Sequence, residues 1–208
     1  MIPVPRDWDD SVHVTGYWFL DPPAGWEPPV DLVRFLHAGP PPVYVGFGSM
    51  VNRKPEEAAD LALQALARTG QRGVLSSGWG GLKKEALPET VFMTGSVPHG
   101  WLFPQMAAVV HHGGVGTTAE GLRAGVPSVL TPFFGDQPFW GRRVLDLGVG
   151  PRAIPRRQLT ADRLAEAIRC AVSDTAMRER AALLGERIRA EDGIARAAEV
   201  IEQDGGHK

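Results

Sequence analysis

The 208-residue sequence has a single cysteine, Cys170, so no internal disulfide can form. A lone thiol in a helical pattern reads as a small buried apolar residue, and such usage fits a reducing cytoplasm. No apolar run approaches the roughly 20 residues that span a bilayer, and residues 1–7 lack a secretory signal's hydrophobic core. Charge of one sign is also scarce: 22 Lys and Arg against 24 Asp and Glu leave a net of −2. That balance carries no electrostatic footprint for nucleic acid or anionic lipid. The short cluster of Arg152, Arg156 and Arg157 reads as solvated. No internal repeat or low-complexity segment interrupts the chain.

What is present is ordinary globular composition, 43% hydrophobic and 22% charged. A chain of this size buries about 70% of its unfolded surface, enough for one good core. Residues 1–42 are rich in Pro and Trp and read as a linker-like segment, extended and turn-like through Pro40-Pro41-Pro42. A single α/β domain is expected over 43–190, with a helix and tail over 191–208.

Within that domain, short β-branched runs at 43–47, 72–76, 91–94, 107–111 and 128–131 predict strands, with a short sixth at 151–154. Pro55, Glu56 and Glu57 open a helix whose apolar positions are Leu61, Ala62, Ala65 and Leu66. Residues 117–124 and 138–147 read as helices. Thr160 caps a helix with Leu164, Ala167, Ile168 and Ala171 on one face; Asp174 caps the next, with Met177, Ala181, Leu184 and Ile188. A last helical segment covers 194–201. Strands alternating with helices predict a Rossmann-like parallel sheet flanked by helices on both faces. Ligands of such sheets bind beyond the carboxyl ends of the strands.

The strongest local feature is Val109-Val110-His111-His112-Gly113-Gly114-Val115-Gly116-Thr117-Thr118-Ala119-Glu120. An apolar strand ends in two histidines, passes through glycines and enters a helix. Glycines let the backbone approach a ligand, and exposed N–H groups at a helix start favour phosphate. The alternative is a plain tight turn. A P-loop is excluded, because Thr117 rather than Lys follows Gly116. The loose dinucleotide pattern Gly114-Val115-Gly116-Thr117-Thr118-Ala119 follows the fourth strand, not the first, so a nicotinamide or flavin enzyme is a distant reading. Adjacent strand histidines face opposite ways and cannot share one metal. His112 is the candidate phosphate donor, with hydrogen-bonded packing as the alternative for either ring.

Downstream lie Glu120, Gly125-Val126-Pro127, Pro132 and Asp136-Gln137. Carboxylates and an amide at the ends of neighbouring elements suit a polyhydroxylated ligand. The bland alternatives make Asp136 an N-cap and Glu120 a solvated helix residue.

From Val97 to Gln137 these residues resemble the donor-binding signature of the GT-B glycosyltransferases that use UDP-sugars. Within that family the sequence is most similar to sterol 3-β-glucosyltransferases and their bacterial relatives. That likeness rests on Thr15-Gly16-Tyr17-Trp18-Phe19-Leu20-Asp21, Gly46-Phe47-Gly48-Ser49, Val97-Pro98-His99, His111-His112-Gly113-Gly114 and Pro132-Phe133-Phe134-Gly135-Asp136-Gln137. The resemblance implies the C-terminal half of a GT-B fold and a role for each matching residue. Ser49, His112, Gly114, Gly116, Thr117 and Thr118 would hold the diphosphate, the last three through backbone N–H groups. Glu120 would accept from the ribose hydroxyls, and Asp136 and Gln137 would hold the transferred sugar. The main chain of Val97 would meet the base edge. Plant members stack a Trp on the uracil where this chain has Ser96, so Trp79 is the candidate stacking face, with ordinary packing as its alternative.

The same resemblance implies sugar transfer by direct displacement, with no metal and no cofactor beyond the UDP-sugar donor. The general base belongs to the N-terminal acceptor-binding domain of such enzymes, so no catalytic residue is expected here. His13, the only early histidine, lies in the segment resembling the interdomain connection and takes no such role. The expected partners are a UDP-sugar, an N-terminal domain in cis or as a partner chain, and a lipophilic acceptor. No nucleic acid and no transmembrane segment is expected. The chain is expected to bind donor in the cytoplasm without transferring sugar alone. A separate donor subunit and a non-catalytic nucleotide-binding module remain as alternatives.

Overall fold

A computed structural model describes residues 2, 4–47, 55–77 and 87–205. Five parallel strands form one sheet: β1 (Val43–Gly46), β2 (Gly73–Ser76), β3 (Val91–Thr94), β4 (Ala108–His111) and β5 (Ser128–Leu130). Their order is β3-β2-β1-β4-β5. The chain builds outward from β1 in one direction, then returns to place β4 on its other side. A topological switch point therefore opens between the carboxyl ends of β1 and β4.

Parallel strands covered on both faces need apolar side chains at successive positions, and all four residues of β1 and of β4 are buried. Alternation divides them between two layers. Val43, Val45 and Val110 face α2 (Pro55–Thr69) and α6 (Ala161–Ser173), where Ala59, Ala62, Ala65, Leu164 and Ile168 complete one core. Tyr44, Val74 and Val109 face the other way, onto Leu102, Phe103 and Met106. A third cluster joins α4 (Val115–Ala124), α5 (Gln137–Asp146) and α7 (Thr175–Arg189) through Leu122, Trp140, Val144, Ala181 and Ile188. The chain ends in α8 (Gly193–Gly205).

The two expected caps form. Thr160 Oγ1 accepts from Arg163 N–H at 3.3 Å, and Asp174 Oδ1 from Met177 N–H at 2.9 Å. Two expectations fail. The segment read as extended up to Pro40 contains helix α1 (Val30–His37), whose Leu32 and Leu36 enter the second core layer. Pro29 starts it and Leu32/Leu36 meet at i, i+4 spacing, a signal masked by the prolines on either side. The sixth strand at 151–154 is not a strand. The chain there bonds to the edge of β5 at two points, Ile154 N–H to Leu130 O and Arg156 N–H to Pro132 O, both 2.9 Å. Pro151 and Pro155 have no N–H with which to extend that pairing into a ladder. The four-residue helix α3 (His99–Leu102) precedes β4 and was not anticipated.

Candidate nucleotide-sugar site

β4 delivers the histidines to the switch point, with His111 paired to Gly46 of β1 and Leu130 of β5. His111 is fully buried, and its Nδ1 accepts from Gly113 N–H at 3.1 Å. Burial, with His112 and His99 nearby, pushes its pKa down to about 3. It is a neutral ring that orders the turn, and the packing alternative holds for it. Gly113 has φ +93°, and a Cβ there would sit 3.0 Å from Leu130 Cδ2, so only glycine fits the turn.

His112 turns toward the start of α4. A Cβ on Gly114 would lie 2.5 Å from its Nε2, so the glycine makes room for the ring against the first turn. His112 is half-buried; burial lowers its pKa while nearby Asp136 opposes the shift. Its Nδ1 is buried without a hydrogen-bond partner.

Gly114 is the N-cap of α4 and supplies no side-chain cap. The first intrahelical bond runs from Thr118 N–H to Gly114 O at 2.9 Å, which leaves the N–H groups of Val115, Gly116 and Thr117 ahead of it. They combine with the positive end of the helix dipole to favour an anion. Thr118 is a correction to the expected donor set. Its hydroxyl also donates to Gly114 O, at 2.9 Å, so the residue is buried and both its donors serve the helix.

Glu120 lies one turn after Gly116, on the same side of α4. It is not a solvated helix residue: Oε2 is buried with no hydrogen-bond partner. Burial raises its pKa, against a smaller opposing effect from Arg123. Gly100 of α3 faces it, and a Cβ there would stand 3.5 Å from Oε2.

The turn after β5 presents Asp136 and withdraws Gln137. Asp136 is exposed and makes no cap bond; its Oδ2 accepts from Trp140 Nε1 at 2.8 Å instead. Gln137 is buried, and its Oε1 accepts from the N–H groups of Phe133 (2.7 Å) and Phe134 (3.3 Å). Its amide oxygen shapes the turn.

Val97, half-buried in the turn between β3 and α3, packs against the second core layer. His99, which the sequence marks only as part of a motif, stacks on Phe103 at 4.3 Å and 13° and lies 3.4 Å from Tyr44 Oη. Burial, with His112 nearby, lowers its pKa to about 4. Ser49 and Trp79 lie outside the described residues.

One cleft of about 560 Å³ joins several of these groups. Pro98, His99, Gly116, Thr117 and Glu120 line one side. The other side is the N-terminal segment, with Tyr17, Trp18, Phe19 and Leu20. No local spacing in the sequence places that segment over α4. Among the described residues, no group of three His, Cys, Asp or Glu side chains converges as a metal site would.

Residues 80–203 match the family described as "Erythromycin biosynthesis protein CIII-like, C-terminal domain". The chain is 44% identical over 202 residues to a sterol 3-beta-glucosyltransferase of Arabidopsis thaliana, covering 97% of this chain and 32% of that protein. It is also 44% identical over 205 residues to the O-mycaminosyltylonolide 6-deoxyallosyltransferase of Streptomyces fradiae, covering 98% of this chain and 47% of that one. Among solved structures, the glycotransferase of kitacinnamycin superposes with a TM-score of 0.71 and 32% identity over 88% of this chain and 47% of its own. The chain thus spans about a third to a half of the length of these relatives. It belongs to the erythromycin biosynthesis protein CIII-like C-terminal domain family and has the Rossmann-like fold of the C-terminal half of a GT-B glycosyltransferase.

Proposed function

We propose that the chain binds a UDP-sugar, UDP-glucose in particular, as the donor-binding part of an inverting glycosyltransferase with a sterol or another lipophilic acceptor. The observation that carries the reading is the uncapped start of α4 beside His112, with the unpartnered carboxylate oxygen of Glu120 on the same cleft. Diphosphate oxygens meet the N–H groups of Val115, Gly116 and Thr117 and the His112 ring. Ribose hydroxyls donate to Glu120, whose buried oxygen otherwise carries an uncompensated desolvation cost. Asp136, held by Trp140, faces the hydroxyls of the transferred sugar.

In the reaction an acceptor hydroxyl attacks the anomeric carbon as the bond to the diphosphate oxygen breaks. Donors fixed at the helix start stabilise the charge that gathers on the leaving diphosphate. The base that takes the acceptor's proton comes from an acceptor-binding domain, in cis or on a partner chain, so this chain contributes binding and leaving-group stabilisation. The sterol assignment draws on the names of the relatives, and cytoplasmic action on the unpaired cysteine.

Calorimetric titration of UDP, UDP-glucose, dTDP-glucose and NADH tests this. UDP and UDP-glucose should bind and NADH should not. His112→Ala should weaken UDP about tenfold, the loss of one charge-assisted hydrogen bond. A chain that binds no nucleotide would sink the reading.

A further inference from the structure

Residues 15–20 form a strap that reaches the cleft at Tyr17, and the strap's residues alternate in role. Tyr17 and Phe19 turn inward onto the third core cluster, their rings 5.7 Å apart. The guanidinium of Arg123, on α4, sits 4.4 Å over the Phe19 ring. Trp18 and Leu20 turn outward and are 66% and 91% exposed. The strap is also pinned at its origin. Gly16 lies against the α7–α8 turn, where a Cβ on Gly193 would run into the Tyr17 carbonyl oxygen. The Trp18 indole is steadied in turn by a 3.3 Å bond from Nε1 to Thr15 Oγ1.

An anchored backbone thus holds a large flat apolar side chain at a cleft whose opposite wall carries polar groups beside the apolar Pro98, Val115 and Ala119. The helix-start donors and Glu120 line that wall. A ligand that satisfies both is anionic at one end, hydroxylated in the middle and flat and aromatic at the other. A nucleoside diphosphate has that order. We infer that the strap is the outer wall of the donor site and that Trp18 is the stacking face for the nucleotide base. This inference rests on the donor reading above. It assigns to the N-terminal segment a binding role that the sequence treated as linkage, and it moves base stacking from Trp79 to Trp18. Stacking on an indole is tolerant of base identity, so Trp18 adds affinity without choosing uracil over thymine.

The test is calorimetric titration of UDP, dTDP and inorganic pyrophosphate into the full chain and its variants. Trp18→Ala should weaken UDP and dTDP alike, about tenfold, and leave pyrophosphate unchanged. Trp18→Tyr should restore most of the affinity, and Trp8→Ala, outside the cleft, should have no effect. An exposed side chain can be removed without loss of fold, which an unchanged melting temperature checks. If wild type binds UDP and Trp18→Ala binds it equally well, the inference is overturned. Equal weakening of pyrophosphate would mean a merely structural role and overturns it too, as would weakening by Trp79→Ala in place of Trp18→Ala. Failure of wild type to bind UDP would be the different result that removes the donor reading itself.

Discussion

At the starts of α6 and α7, the side chains of Thr160 and Asp174 turn back onto the N–H groups of Arg163 and Met177. At the start of α4, Gly114 has no side chain to turn, and three N–H groups stay open. Both arrangements answer the same problem, since every helix begins with donors that its own carbonyls cannot reach. A side-chain cap contributes about 1 kcal/mol to stability. The C-terminal helices take that contribution; α4 forgoes it. Around α4 the omission recurs, with His112 Nδ1 and Glu120 Oε2 buried without partners. Helices α1 and α5 also begin without a side-chain cap, so what sets α4 apart is its open start together with these unpartnered groups beside it.

The comparison breaks most readily at Gly114. A Cβ there would stand 2.5 Å from His112 Nε2 and force the ring from its place beside the helix start. Gly114→Val should therefore weaken UDP by at least about a hundredfold, measured by calorimetry. Undiminished binding would show that the helix start is not the phosphate site.

A second prediction concerns pH. Burial holds the folded pKa values of His111 and His99 at about 3 and about 4, against an ordinary value of 6.5. As pH falls below about 6.5 the unfolded chain takes up protons first, so stability decreases through the window down to the folded values. The melting temperature should fall steadily between pH 6.5 and 4. His111→Gln should show a shallower slope over the same range. An equal slope in that variant would place the sensitivity elsewhere than the β4 end.

The smallest effect is expected at the capped helices. Asp174→Ala should lower the melting temperature by about 3 °C, the loss of one N-cap, and leave UDP affinity unchanged. A change in affinity would mean that α7 and the site are coupled, and the contrast between the two regions would lose its meaning.

Much of this arrangement was legible in the sequence because it depends on neighbours in the chain. Thr160 and Asp174 act on residues three positions ahead, and the strands at 43–47 and 107–111 announce themselves by β-branched runs. The Gly113-Gly114 turn was legible for the same reason, and the open helix start followed from it. Other features depended on competition that spacing does not record. Thr118 and Gln137 carry groups suited to a ligand, but each found an acceptor or donor on its own turn first. Helix α1 was hidden because its flanking prolines resemble those of a linker, and its Leu32 and Leu36 find their place only against the sheet.

The sequence by itself determined the parallel α/β architecture, the Gly-rich turn between β4 and α4, and the polar residues around it. These follow from periodicity, glycine and capping chemistry, all of which act within a few residues. The tertiary structure alone decided that Tyr17, Trp18, Phe19 and Leu20 line the cleft, about a hundred residues away in sequence from the Gly-rich turn. It also decided which polar groups were left unsatisfied. Both outcomes are set by which surfaces meet, and a group's free valence is known only once every nearer partner has taken its share.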